Sequence, residues 1–251
     1  MLTRWNEIDS PDFDPKGKIA AICVGSCEQH GLHLPLGTDS MLIEGVTEDA
    51  ARLASAQIVL LPVQKFGYSP HHRAFRGWIT LSQETMFRYY MEVCGCVFAN
   101  GFEKLLLLNG HGGNQSCLQT VVNELGAAGN RALLVRYWDL IGDAVAALRE
   151  SPAGGMGHAG EFETSLMLHY HPELVRQDRI REYAPAAGNE YHGPDLFARN
   201  TVYQYKPFEE YSKDGNVGQP HFASREKGDK IAQCAATALA RLMDYYAENT
   251  F

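Results

Sequence analysis

The sequence predicts an α/β fold built on a parallel sheet. Four short apolar runs alternate with stretches of helical periodicity; the runs are residues 18–24, 58–63, 104–109 and 132–138. Unbroken apolar runs are typical of strands that are buried on both faces, as in parallel sheets with helical crossovers. The length of 251 residues and a hydrophobic share of 45% suit one large domain of this kind, or two small ones.

The first half of the chain gives two strands and two helices. The strand at 18–24 ends at a glycine, and apolar positions at helical spacing predict a helix near 40–54. After the strand at 58–63, glycines and a proline in 64–81 indicate a loop. A helix at 83–100 follows, with Ser82 as its N-cap and Gly101 as its stop signal.

The second half continues the alternation and then leaves it. A strand, a helix, a strand and a helix are predicted at 104–109, 115–127, 132–138 and 139–149. A glycine-rich loop, a short helix, a long polar stretch and an amphipathic helix follow at 151–160, 161–171, 176–222 and 225–247. Because 176–222 is long for a loop, we expect it to cover a functional site or to contact another subunit.

Composition excludes several classes of function. The net charge of −8, without any Lys/Arg run, disfavours a nucleic-acid partner. The six cysteines form no CxxC pair, which is typical of a reduced, cytoplasmic protein. The N-terminus does not resemble a signal peptide, and no apolar run is long enough to span a membrane.

Potential metal ligands follow the first strand. Glu28 and His30 are two residues apart, so in an extended backbone their side chains point to the same side. Asp39 reaches the same cavity if the loop folds back, and it then begins the next helix. Two carboxylates and one imidazole form a nitrogen/oxygen set that suits Zn²⁺ or Mn²⁺.

Two more clusters lie in glycine-rich turns. His111 directly follows the third predicted strand and is flanked by glycines, although an exposed histidine in a strand-to-helix turn would give the same pattern. His158 precedes a helix whose first turn holds Glu161 and Glu163. Residues two apart on a helix face different sides, so only one of these carboxylates is expected in the site, and their spacing does not select it.

These clusters together resemble the creatininase family. The segments that carry the resemblance are GSCEQHGLHLPLGTD at 25–39, NGHGGN at 109–114 and HAGEFETS at 158–165. They occur in family order and span nearly the whole chain, so we assign residues 1–251 to a single domain of this type.

The resemblance implies a three-layer α/β/α fold, a homo-oligomer (a hexamer is favoured), and two divalent cations, Zn²⁺ and/or Mn²⁺. It places Glu28 and His111 on one ion and His30 and Glu163 on the other, with Asp39 bridging them. It also assigns His158 as the catalytic histidine. The implied chemistry is attack of a metal-bound hydroxide on a small molecule.

Residues that border the expected pocket are candidates for substrate binding. By resemblance these are Tyr68, His72 and Arg73, to which we add Gly112 and Trp138. A solvated polar loop would explain the first three equally well, and core packing would explain Trp138. Creatininase itself has Tyr and Glu where Gly112 and Gly113 stand here, which disfavours creatinine as the substrate.

Four functions compete at this point. The leading one is hydrolysis of a non-peptide C–N bond, in a cyclic amide or a formamide. Within the same family, ring-opening hydrolysis of a cyclic ketone such as an inosose, and trimming of a cofactor-precursor peptide, need similar attack chemistry. A metal-binding oligomeric scaffold without turnover is the non-enzymatic alternative, and the full ligand set together with His158 argues against it.

Overall fold

The computed structural model describes residues 2–251 and contains a five-stranded parallel sheet. The strand order is β1-β3-β2-β4-β5, and every neighbouring pair is parallel. The strands are β1 Leu2–Arg4, β2 Ile19–Val24, β3 Ile58–Leu60, β4 Lys104–Asn109 and β5 Arg131–Arg136.

Helices cover both faces of this sheet. Along β2, Ile19, Ala21 and Cys23 pack into one apolar cluster, and the alternate residues pack into the other. The first cluster lies beneath α1 Thr38–Leu53, α4 Gly142–Leu148, α5 Glu161–Tyr170 and α6 Arg225–Glu248. The second lies beneath α2 Gln83–Ala99 and α3 Gln115–Ala127. The α/β/α prediction with a parallel sheet is therefore confirmed.

Two helices begin at serine caps. The Ser82 hydroxyl accepts a hydrogen bond from the Thr85 N–H at 3.1 Å, as the sequence predicts for the start of α2. Ser224 accepts one from the Lys227 N–H at 3.2 Å at the start of α6. Each cap satisfies an N–H that has no partner within the helix.

The sequence prediction missed one strand and misplaced the ends of two others. It gave four strands, because β1 is a three-residue edge strand without an apolar run. Strand β3 ends at Leu60, not at 63. Strand β5 ends at Arg136, and a 3-10 turn at Tyr137–Ile141 buries two aromatic rings before α4 begins.

The long polar stretch at 176–222 contains only short 3-10 turns, at Gln177–Arg179, Phe208–Glu210 and Pro220–Phe222. Within residues 2–251, no helix combines the length and apolarity needed to cross a bilayer.

Candidate metal centre

The predicted ligands meet at the carboxyl edge of the sheet. Strands β2 and β4 are neighbours, paired through Val24 and Asn109 at their ends, so the loops that follow them emerge side by side. The first loop carries Glu28 and His30, and the second carries His111. The first turns of α1 and α5 add the two remaining carboxylates, Asp39 and Glu163.

Asp39 lies at the middle of this cluster, with its two oxygens facing different imidazoles. Oδ1 is 3.0 Å from Nε2 of His30, and Oδ2 is 3.0 Å from Nδ1 of His111. The hydroxyl of Ser26 donates a hydrogen bond to Oδ2 at 2.6 Å. Two ligands at 2.0–2.1 Å from a tetrahedral zinc ion are about 3.3 Å apart. Each oxygen of Asp39 thus lies close to the spacing that two ligands of one cation would have with the imidazole it faces.

Both imidazoles are oriented by backbone carbonyls. Nδ1 of His30 lies 3.2 Å from the carbonyl oxygen of Glu28, and Nε2 of His111 lies 3.3 Å from that of Tyr68. A histidine that binds a metal usually donates its second ring N–H to such an acceptor. Each ring therefore turns its other nitrogen toward Asp39, and that nitrogen could bind a cation once it loses its proton.

Glu28 is fully buried, and neither of its carboxylate oxygens makes a hydrogen bond. Its Oε1 lies 3.0 Å from Nε2 of His72, 3.2 Å from Nδ1 of His111 and 3.7 Å from Nδ1 of His158. Burial of a carboxylate that makes no hydrogen bond is costly, and a cation among these atoms would lower that cost. The donor set thus fits a divalent cation.

Four groups of residues have ligand atoms within 4.8 Å of one another. They are Glu28/His71/His111, Glu28/His72/His158, His30/His158/Glu163 and Glu28/His30/Asp39. Each of the five predicted ligands belongs to at least one of these groups.

Helix α5 separates the two carboxylates that the sequence could not distinguish. Glu163 faces the cluster, and its Oε2 accepts a hydrogen bond from the Ala159 N–H at 2.6 Å. Ala159 directs this N–H from a left-handed conformation, with φ at 52°. Glu161 points away from the cluster and forms an ion pair with Lys227.

Charges in the cation-free cluster are balanced by protons. Burial lowers the pKa of His30, but Asp39 outweighs burial and raises it to about 10. Burial likewise lowers the pKa of His111, and Glu28 and Asp39 raise it to about 9. Burial raises the pKa of Glu28, yet His111 and His72 bring it well below its usual range. For Glu163, burial dominates over His30 and raises the pKa to about 7. Divalent cations would displace the two imidazole protons.

The residues predicted to bind substrate are not all close to this cluster. His72 is buried inside it, and Tyr68 borders it through the carbonyl that accepts from His111. Arg73 is exposed, with its guanidinium 5.9 Å from the Trp78 ring, and Gly112 is exposed at the start of a 3-10 turn. Trp138 is buried edge-on against Tyr137, so core contacts account for its burial.

Three residues of the cluster were not among the predicted site residues. Gln29 lies between the predicted ligands Glu28 and His30 in the sequence, and this position could have indicated that it belongs to the site. His71 precedes a residue that was predicted. Phe208 lies over His71, His72 and His158, with ring centroids 4.8, 4.4 and 5.1 Å away. It comes from the stretch expected to cover a site, but without periodicity there the sequence could not single it out.

Comparison with known proteins identifies the family. The family profile described as "Creatininase: Creatinine amidohydrolase" matches residues 2–243. A mycofactocin precursor peptide peptidase of Mycobacterium ulcerans (strain Agy99) is 37% identical over 220 residues, which cover 84% of this chain and 78% of the relative. The creatinine amidohydrolase of Pseudomonas putida is 28% identical over 233 residues, covering 86% and 85%. A crystal structure of creatinine amidohydrolase (creatininase) superposes with a TM-score of 0.81 at 26% identity, covering 98% of both chains. The chain therefore belongs to the creatininase family of hydrolases.

Proposed function

We propose that this protein hydrolyses an amide C–N bond with the help of two divalent cations, Zn²⁺ or Mn²⁺. Glu28 and His111 would hold one ion, His30 and Glu163 would hold the other, and Asp39 would contact both. The observation that carries the proposal is the buried Glu28 carboxylate, which has no hydrogen bond and lies within 3.7 Å of three imidazole nitrogens.

Bound cations would supply Lewis acidity and would lower the pKa of a water molecule enough for it to serve as a nucleophile near neutral pH. His158 moves the proton. Its Nε2 donates to the carbonyl oxygen of Gln29 at 2.6 Å, which leaves the lone pair of Nδ1 facing the cluster. Burial and the nearby His30 keep the pKa of His158 well below its usual range, so the ring is neutral. It can accept a proton and pass it to the leaving nitrogen.

The substrate we favour is a non-peptide amide, either cyclic or a formamide. A peptide amide is the second candidate, because the 37% identical relative is described as a peptidase of a precursor peptide. Both have a carbonyl to be attacked and a nitrogen leaving group, so the same cluster serves either. A cyclic ketone lacks that nitrogen and would not need His158 in the same role.

A metal-exchange assay tests the proposal. The purified protein would be stripped with a chelator, reloaded with Zn²⁺ or Mn²⁺, and offered creatinine, formamides, short peptides and inosose-type ketones. Metal-dependent release of an amine is expected, and its source identifies the amide class. Metal binding without turnover of any substrate would favour the scaffold function instead.

His158→Ala is the matched variant for this assay. Loss of general acid–base catalysis costs about 10²–10⁴-fold in turnover. The metal content, measured by elemental analysis, is expected to stay at the wild-type level. Loss of metal together with activity would contradict the role assigned to His158.

We also propose that the chain forms a homo-oligomer, with a hexamer favoured. Support comes from exposed apolar and aromatic side chains in the polar stretch, among them Tyr191, Val202, Tyr203 and Tyr205. Light scattering during gel filtration would give the mass in solution, and a monomeric mass would refute this part of the proposal.

A further inference from the structure

The side-chain amide of Gln29 links His72 to the backbone of Gly31 and Gly215. Its Oε1 accepts a hydrogen bond from the Gly31 N–H at 2.7 Å. Its Nε2 lies 3.0 Å from the carbonyl oxygen of Gly215, 2.9 Å from Nδ1 of His72 and 3.4 Å from Nε2 of His158. A primary amide has two N–H groups, so the two nearer acceptors, on Gly215 and His72, use both of them. The residue is buried, so water does not compete for these contacts.

The orientation of this amide follows from its neighbours. Exchanging its oxygen and nitrogen would set the NH₂ group against the Gly31 N–H, and the oxygen against the Gly215 carbonyl. Both hydrogen bonds would become repulsive, so the network selects a single orientation. Gly215 allows the close approach, since a Cβ at that position would overlap the Gln29 amide.

This orientation determines which nitrogen of His72 carries the proton. Because Nδ1 accepts from the Gln29 amide, the proton of a neutral ring must be on Nε2. That nitrogen is buried and lies 3.0 Å from Oε1 of Glu28, without a hydrogen bond to it or to any other group. Protonation of Nδ1 as well would place two N–H groups face to face. His72 therefore offers the cluster an N–H and not a lone pair.

The backbone carbonyl of Gln29 fixes the tautomer of His158, and here the nitrogen that faces the cluster is the one without a proton. Its carbonyl oxygen lies 2.6 Å from Nε2 of His158, so that nitrogen carries the proton and Nδ1 is left with a lone pair. The rings of His72 and His158 are only 4.6 Å apart between centroids. One residue thus holds two neighbouring imidazoles as a hydrogen-bond donor and a proton acceptor.

We propose that Gln29 is a positioning residue that fixes the tautomers of His72 and His158. His72 then carries its proton on the nitrogen that lies beside the Glu28 carboxylate, and this N–H excludes it as a metal ligand. His158 keeps the lone pair that proton transfer requires. The catalytic consequence rests on the proposed hydrolase function, whereas the assignment of tautomers does not.

Nitrogen-15 NMR of histidine-labelled, metal-free protein at pH 8 tests the assignment directly, because protonated and unprotonated ring nitrogens have well-separated shifts. His72→Asn and His158→Asn would identify the two sets of signals. The expected result for the wild type is that both rings carry the proton on Nε2. A proton on Nδ1 of His72 in the wild-type protein would by itself overturn the proposal.

Gln29→Met keeps the side-chain volume but removes the amide. His72 is expected to gain a population with the proton on Nδ1, while His158 keeps its tautomer, because its acceptor is a backbone carbonyl. The unchanged His158 signals also report that the fold is intact. An unaltered His72 tautomer in this variant would overturn the proposal.

Kinetics separates this inference from the proposed function. With a substrate in hand, Gln29→Met is expected to lower kcat by about 10-fold or more at unchanged zinc content, a loss in the range reported for residues that orient metal sites. A structural role alone would lower zinc content or folded protein instead. If the wild type shows no turnover, the hydrolase proposal fails and the NMR result still decides the role of Gln29.

Discussion

Two buried glutamates, Glu161 and Glu28, show how similar side chains serve different ends. Both are 0% exposed. Glu161 accepts hydrogen bonds from the N–H groups of Glu150 and Ser151, both at 2.9 Å, and pairs with Lys227. Glu28 accepts none and faces imidazole nitrogens. N–H groups and a lysine compensate the first charge, whereas the second is faced by imidazoles alone among the cationic groups that pair with it. Burial of a charge therefore indicates a site only where its compensation is incomplete.

Substitution of Glu28, the glutamate without hydrogen bonds, has the largest expected effect on activity. Glu28→Gln keeps the shape and removes the charge, so we expect metal-dependent turnover to fall by at least about 100-fold, the upper end for residues that only orient ligands. Elemental analysis should show a lost ion. Unchanged metal content in this variant would place Glu28 in the same class as Glu161.

Substitution of Lys227 tests how Glu161, the hydrogen-bonded glutamate, is stabilised. Lys227 is buried, and its Nζ pairs with Glu161 and with Glu150. Lys227→Met leaves Glu161 without its countercharge, which costs about 3–5 kcal/mol of unfolding free energy. Metal content should be unaffected. Denaturant titration measures the loss, and the double variant with Glu161→Gln should recover part of it. Unchanged stability in the single variant would show that the N–H groups of Glu150 and Ser151 stabilise the buried carboxylate without the lysine.

Two adjacent glycines provide a matched pair for the metal centre. A Cβ at Gly113 would overlap Nε2 of His111 and the Tyr68 carbonyl, whereas a Cβ at Gly112 would meet nothing within 4 Å. Gly113→Ala should therefore break the hydrogen bond that orients His111 and weaken metal binding by about 10–100-fold. Gly112→Ala should leave metal affinity unchanged. Competition with a chelating indicator measures both, and equal affinities for the two variants would contradict the oriented-ligand geometry.

The smallest expected effect concerns pH. Burial raises the pKa of Glu161, but the hydrogen bond with Lys227 and the N–H donors lower it below its usual value. A lowered folded-state pKa gives stability that is complete above the unfolded value, about 4.3, and is lost as the pH falls through the folded value. Unfolding measured between pH 5 and 3 should thus show a steeper loss for the wild type than for Glu161→Gln. If the free energy of unfolding changed with pH equally in the two proteins, the pKa of Glu161 would not be lowered in the folded state.

The sequence predicted the fold well where hydrophobicity carries the signal. Strands β2 and β4 follow from apolar runs, helix α2 from its serine cap and glycine stop, and helix α6 from its amphipathic spacing. Strand β1 was missed because an edge strand of three residues has no such signal. The resemblance selected Glu163 over Glu161, which the spacing of the residues could not do. Glu163 faces the cluster in the structure. Its role as a ligand, like that of the other four residues, stays a prediction.

Contacts between distant segments were beyond the reach of the sequence. The Gln29 amide meets Gly215, which lies 186 residues away, and Phe208 reaches the histidines from a stretch without regular structure. Neither position carries a local pattern, because a hydrogen bond or a ring contact leaves no periodicity in the chain. Only three-dimensional packing identifies such residues.

Anomalous X-ray diffraction from crystals of the zinc-loaded protein tests the central claim most directly. Two zinc peaks per chain are expected. One should lie about 2.0–2.2 Å from an oxygen of Glu28 and a nitrogen of His111, the other at that distance from His30 and Glu163, with Asp39 in contact with both. Zinc bound only elsewhere on the chain, with the Glu28 carboxylate still without a cation, would contradict the account.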